Sequence, residues 1–433
     1  MSTNNEKKNP GDSDDSFGKS EKGKISLSNL PHINGTDRLV KGLYTLDSGK
    51  FIVGASVSHD DNTSKTSPKY LKMYYGLTRL DKNGSIDKEF AKKGLTFGQF
   101  KPPFNAWGGK VVVHKQSIYM LGFTALDANS DYPPTHLTLS RFTEKGALDK
   151  GFADNGHLIL RNQQQENLIG NSTHLAIQPD DKIVISATYH AMGNHTQFSG
   201  VLYRITPEGQ LDQSFNKTGR LDVRLNNKTD ITSVNAMQLH EDKILIAGDV
   251  TQTDGVKGYF ARYDVNGDED KTFGDPVTPG VYVLNIKDST VQALIQTEKK
   301  SFFGLGMGKR SGKPEGLLAG MNANGRPNLQ FNRGLPVLTV FDEEYGESWQ
   351  AGFIDAEGRI TVAGITNRLH FARFLSDGQV DKKFGEMGYT EEDTNANVTP
   401  VFLQQKKEDR RFVFGGNTLG LGGSLGVLWA YLS

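Results

Sequence analysis

The sequence predicts an all-β fold, a seven-bladed β-propeller with four-stranded blades. Three observations lead there: a seven-residue motif that recurs seven times, short β-type runs between its copies, and a final copy cut in mid-unit. The motif is a glycine, an acid or amide three residues on, and a phenylalanine three further, as in Gly84-Ser85-Ile86-Asp87-Lys88-Glu89-Phe90. Copies start at Gly11, Gly84, Gly146, Gly209, Gly267, Gly325 and Gly378, and end in Phe17, Phe90, Phe152, Phe215, Phe273, Phe331 and Phe384. The middle residue is aspartate in six copies and Asn328 in the other. Successive glycines stand 73, 62, 63, 58, 58 and 53 residues apart, and Gly378 to Ser433 adds 56. Each unit has the length of one propeller blade.

The unit from Gly209 shows the elements in order. After Phe215 come Gly219 to Leu225, Ile231 to Leu239, Lys243 to Val250 and Gly258 to Tyr263, four β-type runs separated by turn residues. The third run is aliphatic and ends small, as Ile244-Leu245-Ile246-Ala247-Gly248. Equivalents are Ile118 to Gly122, Ile360 to Gly364 and Phe412 to Gly416. Continuous apolar runs suit strands buried on both faces. The motif follows the fourth run. In Asp81-Lys82-Asn83-Gly84 and Asp264-Val265-Asn266-Gly267, glycine takes the positive φ and the acid or amide bonds the local backbone. The phenylalanine is then expected to plug the seam between neighbouring blades.

The chain ends select a ring over an open array. Gly426 to Ser433 aligns with Leu369 to Ser376 and stops before the next motif glycine; Gly11 and the strand from Lys22 to Leu27 supply that continuation. An N-terminal outer strand pairing into the C-terminal blade removes the exposed edges of an open sheet. Residues 1–10 read as a disordered tail and 11–433 as one propeller domain.

The pattern Gly-x-x-Asp-x-x-Phe, with a further glycine at Gly94, Gly156, Gly219 and Gly388, resembles the bacterial delta-60 repeat, from Gly11 to the end of the chain. Departures are Asn328, the closer Gly334 and the stretched spacing to Gly23 and Gly280. The resemblance implies a bacterial source and the propeller fold, and carries over no catalytic residue.

Bulk composition narrows the partners. Lysine plus arginine and aspartate plus glutamate are 50 each, so the electrostatic footprint of a nucleic-acid binder is missing. No apolar run approaches the roughly 18 residues of a membrane span, so membrane insertion is not expected. Cysteine is absent, which removes disulfides and thiolate metal sites. Met1 to Asn9 lacks an apolar core and is not a secretory signal, leaving a cytoplasmic location or export by another route.

Arg79, Arg141, Arg204, Arg262 and Arg373 each precede a motif aspartate by eight residues; where Gly320 replaces the arginine, Asn328 replaces the aspartate. This joint loss predicts a structural Arg–carboxylate clamp across the turn. The pattern breaks at Ala430, which would face Asp14 across the ring closure. Asp264-x-Asn266-x-Asp268-x-Asp270 resembles a calcium loop but has Glu269 where glycine is needed. Gly422-Gly423-Ser424-Leu425-Gly426 matches the nucleophile-elbow pattern without the following helix. Gly308 to Lys313 is a basic hairpin tip rather than a phosphate loop, because Pro314 replaces the required hydroxyl residue. No catalytic set, metal site or cofactor is therefore assigned.

In a propeller, the loops from second to third strand and those between blades share one face. Here they include Pro31 to Asn34, Ser58 to Lys69, Pro102 to Trp107, Asp127 to Tyr132, His190 to Phe198 and Asp342 to Trp349. Candidate ligand-binding residues on them are Trp107, Trp349, His32, Asp60, Asp61, His190, His195, Glu343 and Glu344. The expected function is a non-catalytic module binding a protein or carbohydrate. The alternative is a hydrolase using Asp60, Asp61, Glu343 or Glu344. Trp107 and Trp349 have a competing role as plugs at the start of inner strands.

Overall fold

The computed structural model describes residues 8–18, 23–59, 72–126, 134–162, 166–170, 172–225, 231–310, 312–341, 344–365, 368–392, 402–406, 411–420 and 423–433. Among them all regular structure is β, apart from two single 3₁₀ turns, Leu27–Asn29 and Asn332–Gly334. No helix is long and apolar enough to cross a membrane.

The strands form antiparallel meanders. Ala106–His114, Ser117–Ala125, Thr135–Thr143 and His157–Leu160 make one four-stranded sheet. Ile231–His240 to Val281–Val283, Thr290–Gln296 to Val337–Thr339, and Trp349–Ile354 to Tyr389–Glu392 make three more. In the sheet of Ile183–Ala191, Asn194–Ile205 and Arg220–Asp222, the inner strand is split into Glu166–Leu168 and His174–Ile177. The remaining strands form one path, in which the first meander (Arg38–Thr45 to Leu95–Gly98) meets the last (Phe402–Lys406 to Gly423–Leu432) through the parallel pair Arg38 and Leu425. The N-terminal strand Lys24–Ser26 pairs antiparallel with Val427 to Trp429.

Seven apolar clusters lie between consecutive sheets, and each contains one motif phenylalanine. Phe152 joins Leu121 and Leu139 to Ile185 and Val201; Phe17 joins Val40 and Val53 to Val413 and Leu428. All seven rings are at most 1% exposed. Truncating such a ring to alanine costs about 3–5 kcal/mol.

The motif turn is built around its aspartate. The Asp212 backbone N–H donates to Arg204 O and Phe215 N–H donates to Asp212 O, both at 2.9 Å. One carboxylate oxygen accepts from Arg204 Nε at 2.8 Å; the other accepts from the Ser214 N–H and hydroxyl. The same clamp joins Arg79 to Asp87, Arg141 to Asp149, Arg262 to Asp270 and Arg373 to Asp381, at 2.7–2.8 Å. Each of these guanidinium groups also stands 4.8–5.1 Å from the centroid of its motif phenylalanine. Gly320, which stands where other copies have the arginine, leaves its space to the Phe331 ring. A Cβ there would lie 2.7 Å from that ring.

The chain is anchored before Gly11: Gly385 N–H donates to Pro10 O, and Lys8 donates to Ser13 O. Asp14, which has Ala430 where the other motif aspartates have an arginine, takes its guanidinium from Arg411.

Candidate functional site

The inner strands carry a shared irregularity that creates a cavity. Each of five inner strands breaks register against its partner, leaving Lys41, the Gly108-Gly109 pair, Asn235, Gln292 and Gln350 as unpaired bulge residues. In the split strand, Thr173 directly precedes the restart at His174. A bulge turns a side chain out of the ladder's alternation and re-aims it. All these residues line one cavity of about 880 Å³. Its wall also includes Lys110, Phe123, His174, Asp249, Asp288, Thr290, Lys309 and Asn417. Lys309 ends the strand Phe302–Lys309, and Val256 lies near the start of Gly255–Tyr263, so the lining reaches the end of the sheets that carries the long loops.

The glycines closing the aliphatic runs make the bulges possible. A Cβ on Gly248 would lie 1.9 Å from Ser233 O, one on Gly306 2.0 Å from Thr290 O, and one on Gly364 2.1 Å from Ser348 O. In each case the carbonyl belongs to the residue two before the bulge residue. The small residue visible in the sequence is the imprint of a bulged neighbour strand.

The polar groups on the wall are ordered. Asn235 Nδ2 donates to Asp249 Oδ1 at 2.8 Å and to Thr290 Oγ1 at 3.1 Å, and Thr290 Oγ1 donates to the same carboxylate oxygen at 2.9 Å. Asn417 Oδ1 accepts from Val40 N–H at 2.7 Å, and its Nδ2 donates to Val40 O at 3.0 Å. Lys110 and His174 are half-buried on the cavity wall. Burial pushes the Lys110 ammonium down to about 7. Burial, with the charge of Lys110 adding, holds the His174 imidazole well below its ordinary value. Lys41 is likewise lowered by burial.

Of the residues expected at a ligand site, none of those described lines this cavity. Trp107 comes nearest: it is half-buried and stacked on the cavity residue Phe123, with centroids 5.2 Å apart. Trp349 requires correction, because it is 0% exposed and offers a ligand nothing. Gly316 makes room for it: a Cβ there would lie 2.2 Å from its Nε1. His32 is exposed in the left-handed region, φ 63°. His190 is half-buried, its Nδ1 3.1 Å from Ala191 O. Glu344 is exposed. Asp60, Asp61, Glu343 and the His195 side chain lie outside the described residues. Asp264 Oδ1 accepts from the N–H groups of Asn266 and Asp268, so this carboxylate serves the turn. Ser424 sits in the strand Gly423–Leu432, its N–H donating to Asp37.

The sequence reading missed Lys41, Lys110, His174, Asn235, Gln292, Gln350 and Asp249. A usable signal existed, since a lone polar residue followed by a small one breaks the apolar alternation in Val40-Lys41-Gly42, Val234-Asn235-Ala236, Val291-Gln292-Ala293 and Trp349-Gln350-Ala351.

Residues 178–215 and 356–384 match the family model of a domain of unknown function, DUF5122, described as a beta-propeller. Each match contains one motif copy. No curated protein matches the chain. Among solved structures it is similar to a Trypanosoma rangeli sialidase in complex with sialic acid, at 8% identity and TM-score 0.43, covering 95% of this chain and 59% of that one. It is also similar to the NanB sialidase of Streptococcus pneumoniae (9% identity, TM-score 0.43, 94% of this chain and 70% of that one). A third is the N11 neuraminidase-like protein of A/flat-faced bat/Peru/033/2010, at 10% identity and TM-score 0.41, covering 95% of this chain and 94% of that one. The chain thus spans less than two thirds of the length of the Trypanosoma rangeli protein.

Proposed function

We propose that the chain is a non-catalytic binding module that takes a glycan in the central cavity of a closed seven-bladed ring. The ring of delta-60-like repeats is supported by the seven seam clusters, which join each sheet to the next and the last to the first. Residues 11–433, with the anchored Lys8 to Pro10, then form one domain.

The observation that carries the binding reading is the delivery of amides by bulges: Asn235, Gln292 and Gln350 come from three neighbouring sheets into one cavity. A planar amide both donates and accepts, which suits the dense hydroxyls of a sugar. Phe123 adds apolar aromatic surface to the lining of the same cavity. The volume lies within the roughly 300–1,000 Å³ of small-ligand pockets. A hydrolase is the second reading, because the carboxylates of Asp249 and Asp288 also line the cavity.

The test is a glycan array followed by calorimetric titration of the glycan retained. Gln350→Ala and Asn235→Ala should each weaken binding about tenfold, the loss of roughly one hydrogen-bonding group, with the folded state intact by circular dichroism. Undiminished affinity in both variants would refute the cavity as the site. Turnover of the retained glycan, abolished by Asp249→Asn, would transfer the site to the hydrolase reading.

A further inference from the structure

We propose that the cavity receives an anionic group of its ligand, a carboxylate, sulfate or phosphate on a sugar, against an arc formed by Lys41, Lys110 and His174. The proposal rests on the glycan-binding reading and adds the charge of the ligand to it.

The arc comes from three successive sheets. Lys41 is the bulge residue of the strand Arg38–Thr45, and Lys110 directly follows the bulge glycines of Ala106–His114. The two strands touch backbone to backbone at this level. A Cβ on Gly42 would lie 2.4 Å from Gly109 O and 3.0 Å from Lys110 Cα. His174 restarts the split inner strand of the next sheet, and the charge of Lys110 reaches it. Its Nδ1 is buried without a hydrogen-bond partner among the described residues.

Lys41 is the decisive residue. It is half-buried on the cavity wall, and among the described residues no carboxylate pairs with it. A partly desolvated ammonium without a counter-charge is costly. The cavity's own carboxylates stand elsewhere: Asp249 is on the strand Lys243–Gln252, engaged by Asn235 and Thr290, and Asp288 precedes the strand Thr290–Gln296. Lys309, the last residue of the strand Phe302–Lys309, also lines the cavity. The two lysines and the imidazole of the arc thus come from the first three meanders, whereas Asp249 comes from the fourth and Asp288 and Lys309 from the fifth and the segment before it. An acidic ligand group placed on the arc relieves the cost at Lys41, and a neutral sugar does not.

Sulfate stabilises folded proteins generally, so the readout is the difference between the native chain and Lys41→Gln. Melting temperatures are measured with sodium sulfate and with sodium chloride at equal ionic strength. In parallel, a glycan array carrying neutral and carboxylated or sulfated sugars is probed with both proteins. Sulfate should raise the native melting temperature by about 2 °C more than that of Lys41→Gln, as expected for an anion bound only by the folded state. Acidic glycans should be retained about tenfold more strongly than neutral counterparts, the worth of one charge-assisted contact, and Lys41→Gln should erase that preference. Lys41→Met serves as a second variant should the first misfold. Equal sulfate responses, together with retention of neutral glycans only, overturn the arc and leave the binding reading intact. A sulfate difference without any retained glycan upholds the anion site and removes the glycan reading. Equal responses with no glycan retained overturn both.

Discussion

Arg411 holds Asp14 across 397 residues of chain: its Nε donates to Asp14 Oδ2, while Nη2 donates to the Ser16 hydroxyl and Nη1 to Lys82 O. The five other clamps draw their arginine from the third strand of a meander, eight residues before the aspartate. For Asp14 that position is Ala430, and the guanidinium arrives instead from the start of the second strand of the last meander, Arg411–Gly420. Lysines near the same place in other meanders already reach the motif aspartates. Lys50 meets Asp87 at 2.7 Å, Lys182 meets Asp212 at 3.3 Å and Lys243 meets Asp270 at 2.8 Å. The last sheet thus merges two cationic positions into one arginine, which also lies 5.8 Å from the centroid of Phe17.

This pair ties the N-terminal segment to the C-terminal meander, so its loss should loosen the hold of that segment. Asp14→Asn and Arg411→Met are each expected to cost about 1–3 kcal/mol, below the roughly 3–5 kcal/mol of a fully buried pair, because both side chains retain some exposure. The double variant should lose clearly less than the sum, since the survivor of a broken pair is the costly species. Denaturant unfolding of the four proteins measures this. Strict additivity would show that the two residues do not support one another.

Acid should weaken the clamps in a defined window. At Asp212, burial acts to raise the carboxyl pKa, but bonds from Ser214, with Arg204 and Lys182, outweigh it and hold the group at about 2 against an ordinary 3.8. Asp14, Asp87 and Asp270 are also lowered. A group lowered on folding stabilises fully above its unfolded value and loses that contribution as pH falls through the folded one. Melting temperature should therefore decline between pH 4 and pH 2, and Asp212→Asn should melt lower at neutral pH with a shallower acid decline. A variant with the native acid profile would remove Asp212 from the account.

Glycine at the end of the aliphatic runs should matter twice over. Gly248→Ala and Gly306→Ala place a methyl group against the carbonyls of Ser233 and Thr290. Each should destabilise by about 1–3 kcal/mol, the usual cost of overpacking. Each should also weaken ligand binding, because Asn235 and Gln292 depend on those bulges for their direction. Gly193→Ala, with nothing within 4 Å of its added Cβ, is the control, although its φ of 79° gives it a strain of its own. Loss of stability with unchanged affinity would separate the bulges from recognition.

The sequence by itself determined the parts that repeat. Glycine turns, phenylalanine seams and arginine clamps are local or nearly so, since eight residues separate Arg204 from Asp212, and sevenfold recurrence makes such spacing readable. It also carried the pairing of the N-terminal strand with the last meander, because Gly11 to Phe17 is a copy of the motif that follows the third strand elsewhere, and Lys24–Ser26 does pair with Val427 to Trp429. Tertiary structure alone decided the site. Lys41, Lys110 and His174 lie on separate sheets, far apart along the chain, and converge only when the sheets are set side by side. Their direction depends on bulges, which break the two-residue period that sequence reading relies on. It likewise decided that Trp349 is core rather than surface, because the space it fills is left by Gly316 on the neighbouring sheet.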